Sequence, residues 1–201
     1  MKLQLGLFLI LLMSCGGFQA KRVDAEASDK KALKITDSWV AEDTRAAVEE
    51  IIKQLESHPG FARYKAERGG KLPKLFVAEV QNLTSEAYFP INDINDEFLH
   101  ELSISGEYIL VDAAQRDRIL EELTYMHDGM VDKNDVKKLG KQAGADLMVF
   151  GNVFMRPQSR NGKTIKEYAV NLRLTDIERG VEVARARKRV FKYSEKKSWG
   201  F

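Results

Sequence analysis

Apolar residues recur along the chain in different rhythms, and each rhythm predicts a different kind of segment. From Trp39 they fall at Val40, Ala47, Val48, Ile51, Ile52 and Leu55, the spacing of one helix face. Thr36, Asp37 and Ser38 precede this face as candidate N-caps, since their side-chain oxygens can accept from the first free amides. The helix is predicted to run to about Ser57, where His58-Pro59-Gly60 stops it. Leu75-Phe76-Val77-Ala78-Glu79-Val80 is a short continuous apolar run, the mark of a buried strand. Helical spacing returns from Ile91 to Leu102, with Asn92 or Asp93 near the cap and Ile94, Phe98, Leu99 and Leu102 on one face. Ser105-Gly106 closes that helix, and Tyr108-Ile109-Leu110-Val111 predicts a second buried strand. Two consecutive helices are expected over Ala113–Tyr125 and Asp132–Ala143, with Gly144 just past the end. Asp146 to Val153 then has the strongest pattern of a central strand.

Alternation of period two takes over after Phe154. Residues 156–164, with Pro157, Asn161 and Gly162, read as a polar loop. Ile165–Ile177 and Val181–Tyr193 alternate as two strands joined by a turn at Glu178-Arg179-Gly180. Strand–helix–strand order up to Val153 argues for parallel crossovers. The predicted fold class is α/β: a single compact domain, a mixed sheet with parallel βαβ crossovers and a C-terminal antiparallel hairpin, without internal repeats.

The hairpin can be read in register. With Arg173 opposite Arg185, Tyr168, Val170, Leu172 and Leu174 share a face with Val190, Lys188, Ala186 and Ala184. Lys188 interrupts that apolar face, and its long stem can lie along it. The other face carries Asn171, Arg173 and Thr175 beside Arg187, Arg185 and Val183, with Arg189 beyond. Like charges directly across a ladder are unfavourable. Arg173, Arg185, Arg187 and Arg189 are therefore a candidate surface for an acidic partner, or alternatively an edge kept soluble by its charges. A slip of one residue would move the cluster to the opposite face.

The start of the chain follows neither rhythm. Met1–Lys2 is a minimal positive region, and Leu3–Leu12 is almost unbroken apolar sequence apart from Gln4 and Gly6. That stretch is shorter than the ~20 residues of a spanning helix and fits the apolar region of an export signal. Leu12-Met13-Ser14-Cys15 resembles the lipobox of bacterial lipoproteins, in which signal peptidase II cleaves before the Cys and the thiol takes a diacylglyceryl group. Cys15 is the only cysteine of the chain, and it falls where the apolar run ends. An ordinary secretory signal is the alternative. Acyl chains contribute about 0.8 kcal/mol per buried methylene, so two or three of them anchor stably. The expected organisation is a signal peptide over 1–14, lipidated Cys15 with a flexible tether over 15–35, the domain over 36–195, and a tail over 196–201. The segment Gly16–Ile35 reaches roughly 65–70 Å at most and averages nearer ~25 Å as a coil.

Charge and composition change the picture in two ways. The 32 Lys and Arg nearly balance the 30 Asp and Glu, yet residues 156–201 hold 13 of the former and 5 of the latter. An acidic body with a basic C-terminal quarter marks an electrostatic contact surface. At 44% hydrophobic, the 201-residue chain has material for a core and is not mainly disordered. One cysteine excludes a disulfide framework and any multi-cysteine metal site, and His58, His100 and His127 are scattered. No GxGxxG, Walker A, GxSxG or HExxH pattern occurs. Asp93-Ile94-Asn95-Asp96-Glu97 lacks the central Gly of a calcium loop and reads as helix capping. Asn82-Leu83-Thr84 reads as the turn leaving the first strand. No catalytic residue, metal or cofactor is predicted, and neither nucleic acid nor a small-molecule substrate is expected.

With these features in this order, the chain resembles the LpoB family of lipoprotein activators of penicillin-binding proteins, over roughly Asp37 to Phe191. The resemblance rests on Trp39, Val80-Gln81-Asn82-Leu83-Thr84, and Gly106-Glu107-Tyr108-Ile109-Leu110-Val111. It continues through Gly144-Ala145-Asp146-Leu147-Met148-Val149-Phe150-Gly151, Tyr168-Ala169-Val170-Asn171-Leu172-Arg173-Leu174 and Arg179-Gly180-Val181-Glu182-Val183. The resemblance implies a non-catalytic domain, lipid-anchored to the outer membrane and facing the periplasm. Such a domain docks on a penicillin-binding protein, a peptidoglycan synthase, and stimulates glycan polymerisation and cross-linking. Compact domains of this kind also resemble parts of CsgG and the N-terminal domain of TolB, which implies the competing role of a subunit or accessory of an envelope export assembly.

Overall fold

The computed structural model describes residues 28, 30, 36–112 and 144–196. Within 36–196 the elements are α1 (Ala41–Glu56), α2 (Pro59–Glu67), β1 (Lys74–Asn82), α3 (Ile91–Ile104), β2 (Ile109–Leu110), β3 (Leu147–Arg160), β4 (Lys163–Asp176) and β5 (Val181–Glu195). The five strands form one sheet in the order β2-β1-β3-β4-β5. β1 runs parallel to both β2 and β3, while β3, β4 and β5 form an antiparallel meander. The mixed α/β domain predicted from the apolar rhythms is the fold observed. The helices predicted over 113–143 lie outside the described residues.

The helices supply one side of the core. Ala47, Val48, Ile51, Ile52 and Leu55 of α1 are buried with Phe61 and Tyr64 of α2 and Ile94, Phe98 and Leu102 of α3. They meet Leu75, Val149, Val153, Val170, Leu172, Leu174, Ala184 and Ala186 of the sheet. Phe76, Ala78, Met148 and Ile177 form a second, smaller apolar cluster. Burying a side chain of this size contributes about 1.5–3 kcal/mol, and the alternation along β4 is what places its apolar set on one face.

Several local expectations are corrected. The N-cap of α1 is Val40, whose amide donates to Asp43 Oδ2 at 2.9 Å, so the carboxylate three residues into the helix does the work assigned to Thr36, Asp37 or Ser38. Asp37 is instead drawn away to β4 and β5. His58-Pro59-Gly60 does end α1, but it also starts α2, with His58 Nδ1 accepting from the Gly60 amide at 3.0 Å and Pro59 in the first turn. A nine-residue helix with two buried side chains carries too little period to be seen. Pro90 occupies the N-cap position of α3 without a side-chain cap hydrogen bond, and Asp93 lies in the first turn. β2 is only two residues long, and Ile109 is 49% exposed, so this is a sheet edge rather than a buried strand.

The largest correction concerns residues 156–164. They are not a loop: β3 runs to Arg160 and turns into β4 through Asn161-Gly162 alone. Both turn residues have positive φ, 50° and 76°, which is the geometry a two-residue hairpin needs and Asn-Gly provides. Counting from the closing pair Arg160–Lys163, Pro157 opposite Lys166 occupies a non-hydrogen-bonded position. Its missing N–H therefore faces the edge left where β1 stops at Asn82. The predicted β4–β5 register is the observed one from Tyr168–Val190 to Leu174–Ala184. Beyond it a bulge sets Thr175 against Glu182 rather than Val183.

Of two predicted small motifs one stands, and the other, read as helix capping, is corrected. Asn82 Oδ1 accepts from the Thr84 amide at 2.9 Å and its hydroxyl at 2.7 Å, forming the expected turn. In the acidic run opening α3, Asn95 Oδ1 accepts from the Val80 amide at 2.7 Å. That amide lies where the β1–β3 register shifts, so Asn95 satisfies a group the bulge leaves unpaired.

Candidate functional site

The four arginines singled out from sequence do come together on the outer face of the β4–β5 hairpin. Arg173 lies opposite Arg185, Arg187 opposite Asn171, and Arg189 opposite Ala169, all with exposed side chains. The fold disperses their charge in four different ways. Arg173 stacks on Phe150 of β3, its guanidinium carbon 4.5 Å from the ring centroid. Arg185 makes a bidentate contact with Glu182, at 2.9 and 2.6 Å. This contact holds the Glu182 carboxyl below the ordinary glutamate range. Arg187 donates through Nε to Asn171 Oδ1 at 2.5 Å, and its amide donates to Gln54 Oε1 of α1 at 3.1 Å. Arg189 lies 3.4 Å from Glu167.

The cluster is thus less bare than its sequence implied, because Glu182 and Glu167 answer two of the four charges. Glu167 could have been found: the predicted register places it on the same face as Arg189, one step from the Ala169–Arg189 pair. Glu182 could not, since period two sets it on the opposite face from Arg185 until the bulge after Leu174 shifts it. Even so, the guanidiniums keep unused donors and face solvent, with Arg185 56% and Arg189 53% exposed. Guanidinium donors of this kind suit carboxylate and phosphate oxygens. Among the described residues, no group of three or more His, Cys, Asp or Glu is arranged to hold a metal ion, and no helix is long and apolar enough to cross a membrane. Cys15 lies outside the described residues.

The inner face of the same strands carries a second set of charges that sequence reasoning did not single out. Lys192 is 8% exposed and lies 2.5 Å from Asp43 Oδ2. Lys166 contacts Glu86 at 3.1 Å and Asp37 at 3.3 Å. Glu86 Oε1 also accepts from Tyr168 Oη at 2.8 Å. Asp37 accepts from Ser194 Oγ at 2.6 Å. Hydrogen bonding from Ser194, opposed by burial and aided by Lys166, holds the Asp37 carboxyl below the ordinary aspartate value.

The family model of the peptidoglycan-synthase activator LpoB matches residues 43–190. The chain belongs to the LpoB family. No individual curated protein matches it. Among solved structures, the C-terminal domain of LpoB from Escherichia coli is similar at 16% identity and a TM-score of 0.52, covering 74% of this chain and 98% of that one. The corresponding domain from Salmonella enterica is similar at 15% identity and a TM-score of 0.50, with the same coverage. At this identity the likeness is one of fold.

In this LpoB-family domain the segments that carried the resemblance are structural. Trp39 packs between Phe89 and Tyr168, ring centroids 5.4 Å away in each case, and its Nε1 donates to Thr44 Oγ1 at 2.8 Å. Gly151 sits where β3 and β4 approach closely, since a Cβ there would lie 1.9 Å from the Asn171 carbonyl oxygen. Asp176, fully buried, accepts from the amide and Nε of Arg179, each at 2.8 Å, and so shapes the β4–β5 turn. These residues build the scaffold; the exposed arginines are what it presents.

Proposed function

We propose that this protein is a non-catalytic lipoprotein, anchored through Cys15 to the outer membrane and facing the periplasm. Its domain binds a penicillin-binding protein and stimulates peptidoglycan synthesis. The match of the LpoB family over residues 43–190 carries this reading. The lipobox-like Leu12-Met13-Ser14-Cys15 supports the anchor, because the only thiol of the chain is placed where an export signal would be cut. Arg173, Arg185, Arg187 and Arg189 are the proposed docking residues, offering donors to carboxylates on the synthase. Activation then acts through contact: the bound domain favours an active arrangement of the enzyme by its differential affinity for that state.

The direct test is reconstitution with a bifunctional peptidoglycan synthase of the same organism. The mature protein is expected to raise the rate of glycan polymerisation and cross-linking. The variant Arg185→Glu/Arg187→Glu is expected to bind more weakly while its far-ultraviolet circular dichroism stays unchanged. Absence of both binding and stimulation by the wild-type chain would overturn the activator reading. Unchanged binding by the charge-reversal variant would remove only the docking surface.

A further inference from the structure

The far end of the β3–β5 meander joins three features that the docking reading leaves unused. The first is an exposed apolar patch on the outer face: Ile165 is 42%, Phe191 62% and Tyr193 57% exposed. Ile165 pairs directly with Tyr193, and Phe191 lies two residues along the same strand, so the three side chains are neighbours. The second is charge. From Arg156 to Lys166 the chain has four cations, Arg156, Arg160, Lys163 and Lys166, and no carboxylate. Lys196 joins them, its amide donating to the Gly162 carbonyl at 2.9 Å. Two carboxylates lie at this end, and both are engaged: Glu195 by Lys163 at 3.5 Å and by Tyr193 Oη at 2.9 Å, and Glu167, opposite Phe191, by Arg189 at 3.4 Å.

The third feature is where the chain enters the domain. Asp37 is bound to Ser194 and Lys166, so the root of the Gly16–Ile35 tether is fixed to this same end of β4 and β5. A domain held by a short tether at one end presents that end to whatever holds the anchor. Exposed aromatics ringed by Arg and Lys are the composition that settles at a lipid–water boundary, rings at headgroup level and cations against phosphate.

We propose that this end of the sheet, with Ile165, Phe191 and Tyr193 inside a rim of Arg156, Arg160, Lys163 and Lys196, rests on the anionic phospholipid headgroups of the leaflet holding the anchor. The proposal rests on the Cys15 anchor of the preceding section. It gives the anchor an orienting partner: at about 3.3 Å per strand residue, Arg185 stands roughly 26 Å along β5 from Tyr193. Arg185 then stands clear of the headgroups, within reach of a protein partner, while Arg189, two residues from Phe191, borders the patch.

The test uses the acylated mature protein reconstituted on vesicles of phosphatidylcholine with and without phosphatidylglycerol, read by flotation and by hydroxyl-radical footprinting. Leu72 and Ile109, exposed at the opposite end of the sheet, serve as internal references. Labelling of Phe191 and Tyr193 is expected to fall severalfold on vesicles containing phosphatidylglycerol, and to recover in high salt. A chain that floats with the vesicles but labels equally at Phe191 and Tyr193 on both compositions and in detergent would overturn the resting surface and leave the anchor standing. Protection that appears only when the synthase is added would also overturn it, marking the patch as protein-binding. A chain that does not float at all would refute the anchor and this proposal with it.

Discussion

On the inner face of the β4–β5 hairpin, Lys192 is enclosed with Asp43, and Lys166 is half-buried against Asp37 and Glu86. On the outer face, Arg173, Arg185, Arg187 and Arg189 stand in solvent. Both faces come from the same alternating strands, and on both the strands supply cations. They differ in what desolvation demands. An enclosed ammonium must have its carboxylate, because the cost of an unpaired charge out of water is several kcal/mol. An exposed guanidinium keeps its hydration and gains at most about 1 kcal/mol from a neighbour. The inner charges therefore belong to the fold, and the outer ones are available for recognition.

The largest effect should come from breaking the most enclosed pair. Lys192→Ala leaves Asp43 buried without its counter-ion and is expected to cost about 3–5 kcal/mol in urea unfolding. Asp43 also caps α1 through the Val40 amide, so the damage reaches the start of the domain. Replacing the lysine while also making Asp43 neutral, in Lys192→Met/Asp43→Asn, should recover much of the loss. A cost for Lys192→Ala no larger than that of Arg187→Ala would erase the distinction between the faces.

Acid provides a finer comparison, between two carboxylates at opposite ends of α1. Asp37 is held below its ordinary value, chiefly by the Ser194 hydrogen bond. Its contribution is present above the ordinary aspartate value and is lost as pH falls through the lowered one. Asp37→Asn should thus be less stable than wild type at neutral pH, with the gap closing below pH ~4. Glu56 is the reverse case: burial pushes its carboxyl up, and its Oε1 is enclosed with no hydrogen-bond partner among the described residues. The penalty for ionising it grows as pH rises past the ordinary glutamate value. Glu56→Gln should therefore gain stability over wild type near neutrality and match it in acid, as thermal unfolding across pH would record.

The outer face was legible in the sequence and the inner network was not, for a physical reason. Strand period and an Arg–Arg register are local, so the positions of Arg173, Arg185 and Arg187 follow once the turn at Glu178-Arg179-Gly180 is placed. The ammoniums of Lys166 and Lys192 look like errors on an apolar face until their partners are known. Asp37 and Glu86 lie 129 and 80 residues from Lys166 in sequence. Local pattern also failed where polar composition hid extended backbone: Arg156 to Arg160 reads as loop, but β4 supplies the ladder that the residues do not announce. α2 is hidden because His58-Pro59-Gly60 reads as the end of α1, although His58-Pro59 is equally a start signal.

The smallest expected stability effect is the most diagnostic for the outer face. Arg185 holds Glu182, and Arg187 holds Asn171, in contacts open to solvent. Arg185→Ala and Arg187→Ala should each change unfolding free energy by no more than about 0.5 kcal/mol. Arg187→Ala keeps the backbone amide that bonds Gln54, so α1 remains seated on β5. A loss near 2 kcal/mol in either variant would mean that the arginine is part of the scaffold. Any accompanying weakening of synthase binding would then report damage to the domain. Unaltered stability with weakened binding would place the effect in the exposed guanidiniums, since the core beneath them, Leu172, Ala184 and Ala186, is untouched.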